Sequence, residues 1–387
     1  MSLSHIQAIR SASVPVWIFV AVTACAEPRA DSSVETRSSA DQSSVPWVLT
    51  EDLRIGSAES GGPEQFGFIS GLAVDDAGNI YVLDEVAQDV RVFDASGAHV
   101  RTIGGQGEGP GEFVGAADLF LDPAGRLWVT DARTSRYSVF SPRGVYVEGH
   151  PRPLRGFASA GAAFDREGRL TDWGLSFPEE SPDVVAGPVI SFDPVRFSAD
   201  FSVRDTLPSL IFDQDLLSDG SRPQVFFAGQ PLVFQRPGGD TWFARSSDYR
   251  VFRRNANGDT VAVLGLEVDP IPIGEAEREQ VRVRLRGRPE TSDYLEGLPE
   301  TRPVLASLFA DGEGHVFVIP DVQGAPGGTA VDVFTDEGVY VGRSRFPQPI
   351  RTPGEVPVAT SSHLYVIVED EFDVPYVSRL RITKPGG

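Results

Sequence analysis

Cysteine is nearly absent from this 387-residue chain: Cys25 is the only one. No intrachain disulfide can form, and metal sites built from cysteine clusters are excluded. Lysine is equally scarce, with Lys384 alone among 34 basic residues. The formal net charge is −21. A surface of that sign repels nucleic acid, and no basic stripe with interleaved aromatics offsets it. Histidine is rare, with five in the chain. No Gly-x-Ser-x-Gly elbow is present to set a nucleophile beside a base. The one uninterrupted apolar run, Val14 to Val22, is too short for a spanning helix, which needs about 20 residues. The fold must therefore rest on core burial and backbone pairing.

What the chain does have begins with an address. Residues 1–24 read as a signal peptide, with Arg10 as the basic region and Val14–Val22 as the apolar one. The run closes on Val22-Thr23-Ala24-Cys25. That tetrapeptide resembles the lipobox of bacterial lipoproteins, which implies a diacylated Cys25 at the mature N-terminus. Position 26 is Ala rather than Asp, so the resemblance points to the outer membrane. Residues 25–44 are polar and rich in Ser, Ala and Asp. They are expected to form a flexible acylated tether, with a reach on the order of 25 Å. The body of the protein is expected to occupy 45–387.

That body repeats. Gly71-Leu72-Ala73-Val74-Asp75-Asp76-Ala77-Gly78 leads to Ile80-Tyr81-Val82-Leu83-Asp84. At an offset of 47 residues, Asp118-Leu119-Phe120-Leu121-Asp122-Pro123-Ala124-Gly125 leads to Leu127-Trp128-Val129-Thr130-Asp131. An apolar run makes a buried strand. Asp-x-x-Gly makes a tight turn, the Asp capping the backbone and the Gly accepting positive φ. Alternating strands follow, as in Val90-Arg91-Val92-Phe93. This is a four-stranded antiparallel meander, the unit of a propeller. The unit recurs at Asp165–Leu170, Pro237–Phe243, Asp311–Val318 and Ser362–Val368, which makes six. The sixth lacks its last strand, and Leu53-Arg54-Ile55-Gly56 matches Arg101-Thr102-Ile103-Gly104. The fold class expected is thus all-β: a six-bladed β-propeller closed by its N-terminal strand. Two insertions interrupt it, at 174–190 and 271–300. The second carries helix formers and charges of both signs over Glu275–Leu285, so one exposed helix is expected after blade 4.

The link from Gly104 to Phe113, rich in glycine and ending in Phe, precedes a strand of the Gly71-Leu72-Ala73-Val74-Asp75 type. Both resemble NHL repeats, well over residues 48–144 and weakly beyond. The same link is not a dinucleotide fingerprint, since no helix follows it. Six-bladed lactonases resemble the architecture and hold calcium in the central channel through Glu, Asn and Asp. Here the innermost strands are mostly apolar or small, and Asp118 is the one fair candidate. His315 and His363 open the second strands of their blades and are expected to be structural or surface residues. Asp84, Asp131 and Asp172 end second strands and are expected to cap the turns that follow. The face carrying the links would present Glu85, Gln88, Arg133, Arg136 and Arg302, a mixed-charge surface suited to a carboxylate, peptide or protein. The expectation is a lipid-anchored envelope propeller that binds a ligand or partner, with no cofactor. The alternative is a calcium-dependent hydrolase or lyase of the lactonase type, with its site at the channel.

Overall fold

The computed structural model describes residues 35–38, 46–58, 61–154, 161–176, 189–213, 227, 229–287, 291–321, 329–351 and 357–385. They form six antiparallel sheets, one per blade. Blade 1 comprises Ile69–Val74, Ile80–Asp84, Asp89–Phe93 and His99–Gly104; blade 2 comprises Ala116–Leu121, Leu127–Asp131, Arg136–Phe140 and Tyr146–Pro151. Blades 4 and 5 follow the same order, with innermost strands Pro231–Gln235 and Leu305–Ala310. In blade 3 the innermost strand shortens to Ala163–Phe164. The outer position there is shared by Arg204–Thr206 and Leu210–Asp213, both paired with Val189–Phe197. Blade 6 runs Val358–Ala359, His363–Glu369 and Pro375–Thr383.

Its outermost strand comes from the other end of the chain. Val48–Ile55 pairs antiparallel with Pro375–Thr383, from Val48 opposite Thr383 to Ile55 opposite Val377. The closing strand is therefore longer than the Leu53–Gly56 match foretold. Side chains lock the register. Glu51 accepts from Ser378 Oγ at 2.6 Å and Gln348 Nε2 at 2.6 Å, and Asp52 accepts from Arg379 Nε at 2.8 Å.

The core is a set of six wedges. Successive side chains of a strand point to opposite faces, and each face of a blade meets a neighbour. Tyr81 and Leu83 pack toward blade 2, while Ile80 and Val82 pack toward blade 6. One apolar cluster fills each seam from 1–2 round to 6–1. That is why Ile80–Asp84 and Leu127–Asp131 are buried along their whole length. The glycines of the links are set by contact. Gly104 has φ +84°, and a Cβ there would lie 2.1 Å from the ring of Phe113, which is fully buried.

The insertion after blade 4 holds the expected helix, α1 (Glu275–Arg284), started by Glu277, whose carboxylate accepts from Gly274 N at 2.8 Å. A short second helix, α2 (Thr291–Glu296), was not foreseen. Val281, Leu285 and Leu298 pack into a small apolar cluster of their own. The arms of the insertion at 174–190 are strands of blade 3, paired out to Ser176 opposite Ser191; residues 177–188 lie outside the described residues. Extended Glu35–Ser38, inside the stretch expected to be tether, runs parallel to the outer strand Thr260–Leu266 of blade 4. Cys25 and the leader lie outside the described residues. Among the described residues no helix is long and apolar enough to cross a membrane.

Ile55 sits in the seam between blades 6 and 1 at 3% exposure. Ile55→Ala should cost about 2–5 kcal/mol, read as a lowered urea midpoint. The exposed Val48→Ala in the same strand should stay within about 0.5 kcal/mol. An unchanged midpoint for Ile55→Ala would mean that the closing strand is not part of the cooperative unit.

Candidate functional site: the axial cavity

The repeated aspartates sort into turn-formers and exceptions. Asp75 Oδ1 accepts from Ala77 N and Asn79 N, and its Oδ2 accepts from Asn79 Nδ2 at 2.8 Å. Asp122 does the same with Arg126 Nε at 2.6 Å, and Asp165 with Arg169 Nε at 2.7 Å. Asp311 takes His315 Nδ1 at 2.7 Å. Asp311, Glu313 and His315 lie close enough to suggest a metal. Comparison with the other blades gives a plainer account: His315 stands where Arg126 and Arg169 stand, as the fourth-residue partner of the turn aspartate. His363 instead meets Asp52 of the closing strand at 3.3 Å.

Asp84 and Asp131 cap the turns that follow them, as expected, and reach further. Asp84 accepts from Val86 N and Ala87 N, and also from Gly67 N and Phe68 N of the incoming link. Asp131 binds Arg133 N, Thr134 N, Val114 N and Gly115 N in the same way. Asp172 does not cap a turn. It is buried in the seam between blades 2 and 3, where it accepts from Tyr137 Oη at 2.5 Å and Arg152 Nε at 2.7 Å. A second seam repeats the chemistry. Asp332 accepts from Tyr249 Oη at 2.5 Å and from Arg343 Nε at 2.8 Å and Nη2 at 2.7 Å. Both networks satisfy charges that burial would otherwise make costly.

The residues expected on the link face divide likewise. Glu85 and Arg133 are exposed on turns. Gln88 is buried at φ +56°; its Nε2 donates to Glu85 O and its Oε1 accepts from Ala116 N at 3.0 Å. It is a tie between blades 1 and 2. Arg136 donates to the carbonyls of Glu108, Gly109 and Glu112, clamping the glycine-rich link. Arg302 pairs with Glu277 and holds α1 to the chain entering blade 5. All three are thus engaged within the fold; for Arg136 the reason is that a strongly curved link has carbonyls that need donors, which a long Arg fork supplies.

Asp118 alone of the predicted set faces an interior space. The innermost strands of the ring enclose a cavity of about 480 Å³, and all six blades contribute to its wall. The lining is largely apolar, with Val74, Phe120, Phe164, Phe234, Val358 and Ile367 among it. Each innermost strand is a sheet edge, so its outer backbone N–H and C=O groups also face the axis. The register of the blades sets Asp118 beside two glycines. Gly71 pairs with Leu83 as Asp118 pairs with Thr130, each just after a β-bulge; Gly161 holds the matching place in blade 3, three residues before Phe164. Bulges re-aim side chains, and here the blade-2 bulge precedes the one carboxylate of the level. A Cβ on Gly161 would meet nothing within 4 Å.

The Asp118 carboxylate accepts from Leu119 N at 2.8 Å and from Ala162 N at 3.3 Å. Desolvation in the ring, and then the negative charge of Asp172, push its pKa up to about 7; the two N–H groups and Arg152 pull the other way. Ser70 Oγ, in the same lining, is buried without a hydrogen-bond partner. Sequence reasoning reached Asp118 but missed Ser70 and the paired glycines. The 47-residue offset held that signal, since it sets Gly71 against Asp118.

Comparison with known proteins agrees with this architecture. Residues 65–148 match a family described as a six-bladed beta-propeller, DUF5128. No curated protein matches the chain. Among solved structures, a protein of Bacteroides fragilis NCTC 9343 described as exported is 12% identical, with TM-score 0.53, over 91% of this chain and 99% of its own. A DUF4221 family member from Bacteroides vulgatus is 10% identical, with TM-score 0.54, over 87% and 98%. The protein is thus a six-bladed β-propeller, and these likenesses establish its fold.

Because the folded Asp118 holds its proton more tightly than an ordinary aspartate, ionising it costs stability. That loss enters as pH rises from about 4 to about 7, between the ordinary value and the folded one. Asp118→Asn should therefore gain on the parent as pH rises, its melting temperature relative to the parent standing higher at pH 8 than at pH 5. An equal difference at both pH values in thermal melts would contradict the raised pKa.

Proposed function

We propose that the chain is an exported envelope propeller that is tethered by lipid on Cys25 and binds a small ligand in its axial cavity. The carrying observation is the composition of that cavity: a wall of mainly apolar residues in which Asp118 is a carboxylate set on an innermost strand and held only by backbone N–H groups, with the exposed Asp76 at a turn of the lining. Such a pocket, apolar with few polar groups, is the usual form of a small-molecule site. Asp75 and Asp122 also line it, but their oxygens are taken by the backbone and by Asn79 and Arg126. No nucleophile–base pair lines the cavity among the described residues, so binding is favoured over turnover.

The calcium-dependent hydrolase or lyase needs a convergent set of oxygen ligands, commonly six to eight. Asp75 and Asp122 are occupied by their turns, and Asp118 and Asp76 do not group with other ligand atoms into a metal-sized cluster among the described residues, so the lining fits a calcium centre poorly. The resemblance of Val22–Cys25 to a lipobox and of the Gly104–Phe113 link to NHL repeats supports an envelope role. The Bacteroides fragilis propeller described as exported agrees with that compartment. Ala26 favours the outer membrane.

Cells fed labelled palmitate should yield the protein labelled and in the membrane fraction. Cys25→Ser should lose the label and become soluble after cell lysis, with its melting temperature unchanged. Elemental analysis of the protein purified without chelator should find no stoichiometric calcium. An unlabelled parent protein or one bound calcium per chain would overturn the corresponding half of the proposal.

A further inference from the structure

We infer that the axial cavity takes a small organic cation, with an ammonium group at the Asp118 carboxylate and an apolar body along the lumen. This rests on the reading of the cavity as the ligand site and names its ligand class.

Four observations lead there. First, the recorded hydrogen bonds of Asp118 come only from the backbone groups Leu119 N and Ala162 N. A carboxylate offers about four acceptor positions, so capacity remains for an incoming N–H donor. Arg152, the cation whose charge acts on it, is bound to Asp172 Oδ2 at 2.7 Å and to the carbonyl of Trp173 at 2.9 Å. Second, the space next to Asp118 is open, because Gly71 and Gly161 flank it and a Cβ on the latter would touch nothing. Third, the wall carries Phe120, Phe164 and Phe234 together with the further carboxylates Asp75, Asp76 and Asp122, so it offers apolar surface and negative charge but no lining cation among the described residues. Aromatic rings tolerate an organic cation and its carbon skeleton alike. Fourth, the net charge of −21 raises the local concentration of cations and repels anions.

The protonation of Asp118 makes the idea sensitive to pH. The charged and titratable groups around it are Asp172 and Tyr137 in the blade 2–3 seam, Arg152 after the last strand of blade 2, and Asp75, Asp76 and Asp122 in the cavity wall. Asp172 is bonded to Tyr137 and to Arg152, and Asp118 makes no hydrogen bond to any of the three. A cation binds the ionised form, and affinity should rise as pH passes about 7.

Phenethylamine, 2-phenylethanol and 3-phenylpropionate share a skeleton and differ in head-group charge. Calorimetric titration of the full-length protein at pH 8 should find the amine bound at least tenfold more tightly than the alcohol. The acid should not bind. Between pH 6 and pH 8 the amine's affinity should rise about tenfold, as the ionised fraction of Asp118 does. Asp118→Asn should reduce the amine to the level of the alcohol and remove the pH dependence. Ala117→Trp, which fills the lumen from the same strand, should abolish binding of both. Amine and alcohol bound equally, with both lost in Ala117→Trp, would overturn the cation assignment and leave the cavity as the site. Binding that survives Ala117→Trp, or no binding by any of the three, would overturn the cavity reading as well.

Discussion

The pairing of Val48–Ile55 with Pro375–Thr383 is the constraint on which the rest depends. Every apolar wedge of the ring is shared by two blades, so no blade buries its own core. Opening the ring at blade 6 would expose the seam formed by Ile55, Ile69 and Tyr365 and leave a bare edge along Pro375–Thr383. A free edge of that kind invites pairing with other chains. Closure also joins strands more than three hundred residues apart. Long-range pairing carries a loop-closure cost in folding, so the ring is expected to form slowly and as a unit.

Closure fixes the axis, and the axis fixes the chemistry. The turn aspartates facing the lumen are consumed by their own turns, and buried Asp172 and Asp332 are matched by Tyr and Arg across seams. Blade 4 inverts the turn pattern. Arg236 stands at the aspartate position and donates to Asp311 O at 2.9 Å, while Asp240 stands at the partner position. The charges of the ring are thus largely committed to structure, and Asp118 stands out as a carboxylate of an innermost strand held by backbone N–H groups alone. Its raised pKa follows from that setting, a carboxylate in a desolvated ring with a second carboxylate behind it.

Much of this was legible in the sequence. The 47-residue offset, the Asp-x-x-Gly turns and the Leu53–Gly56 match are local patterns, and they gave the blades, the turns and the closure. The helix Glu275–Arg284 was readable for the same reason. Contacts across seams were not. Tyr137, Arg152 and Asp172 belong to different strands and carry no common spacing, so nothing marks them as one network. Gln88, Arg136 and Arg302 looked like a binding rim because polar residues on links usually face solvent; their partners, Ala116 N, the carbonyls of the glycine-rich link and the Glu277 carboxylate, lie far off in sequence or carry no pattern. The parallel docking of Glu35–Ser38 on blade 4 had no signal either, since the segment is polar and an outer edge accepts backbone of any composition.

Hydrogen exchange, resolved to single amides, tests the central claim most directly. If the ring closes as described, amides of Leu49–Ile55 that bond to blade 6 will exchange only through global unfolding, at the same free energy as their partners in Pro375–Thr383. If those amides exchange rapidly while blades 1 to 5 remain protected, the N-terminal strand is an appendage, and the closed ring with its axial cavity must be abandoned.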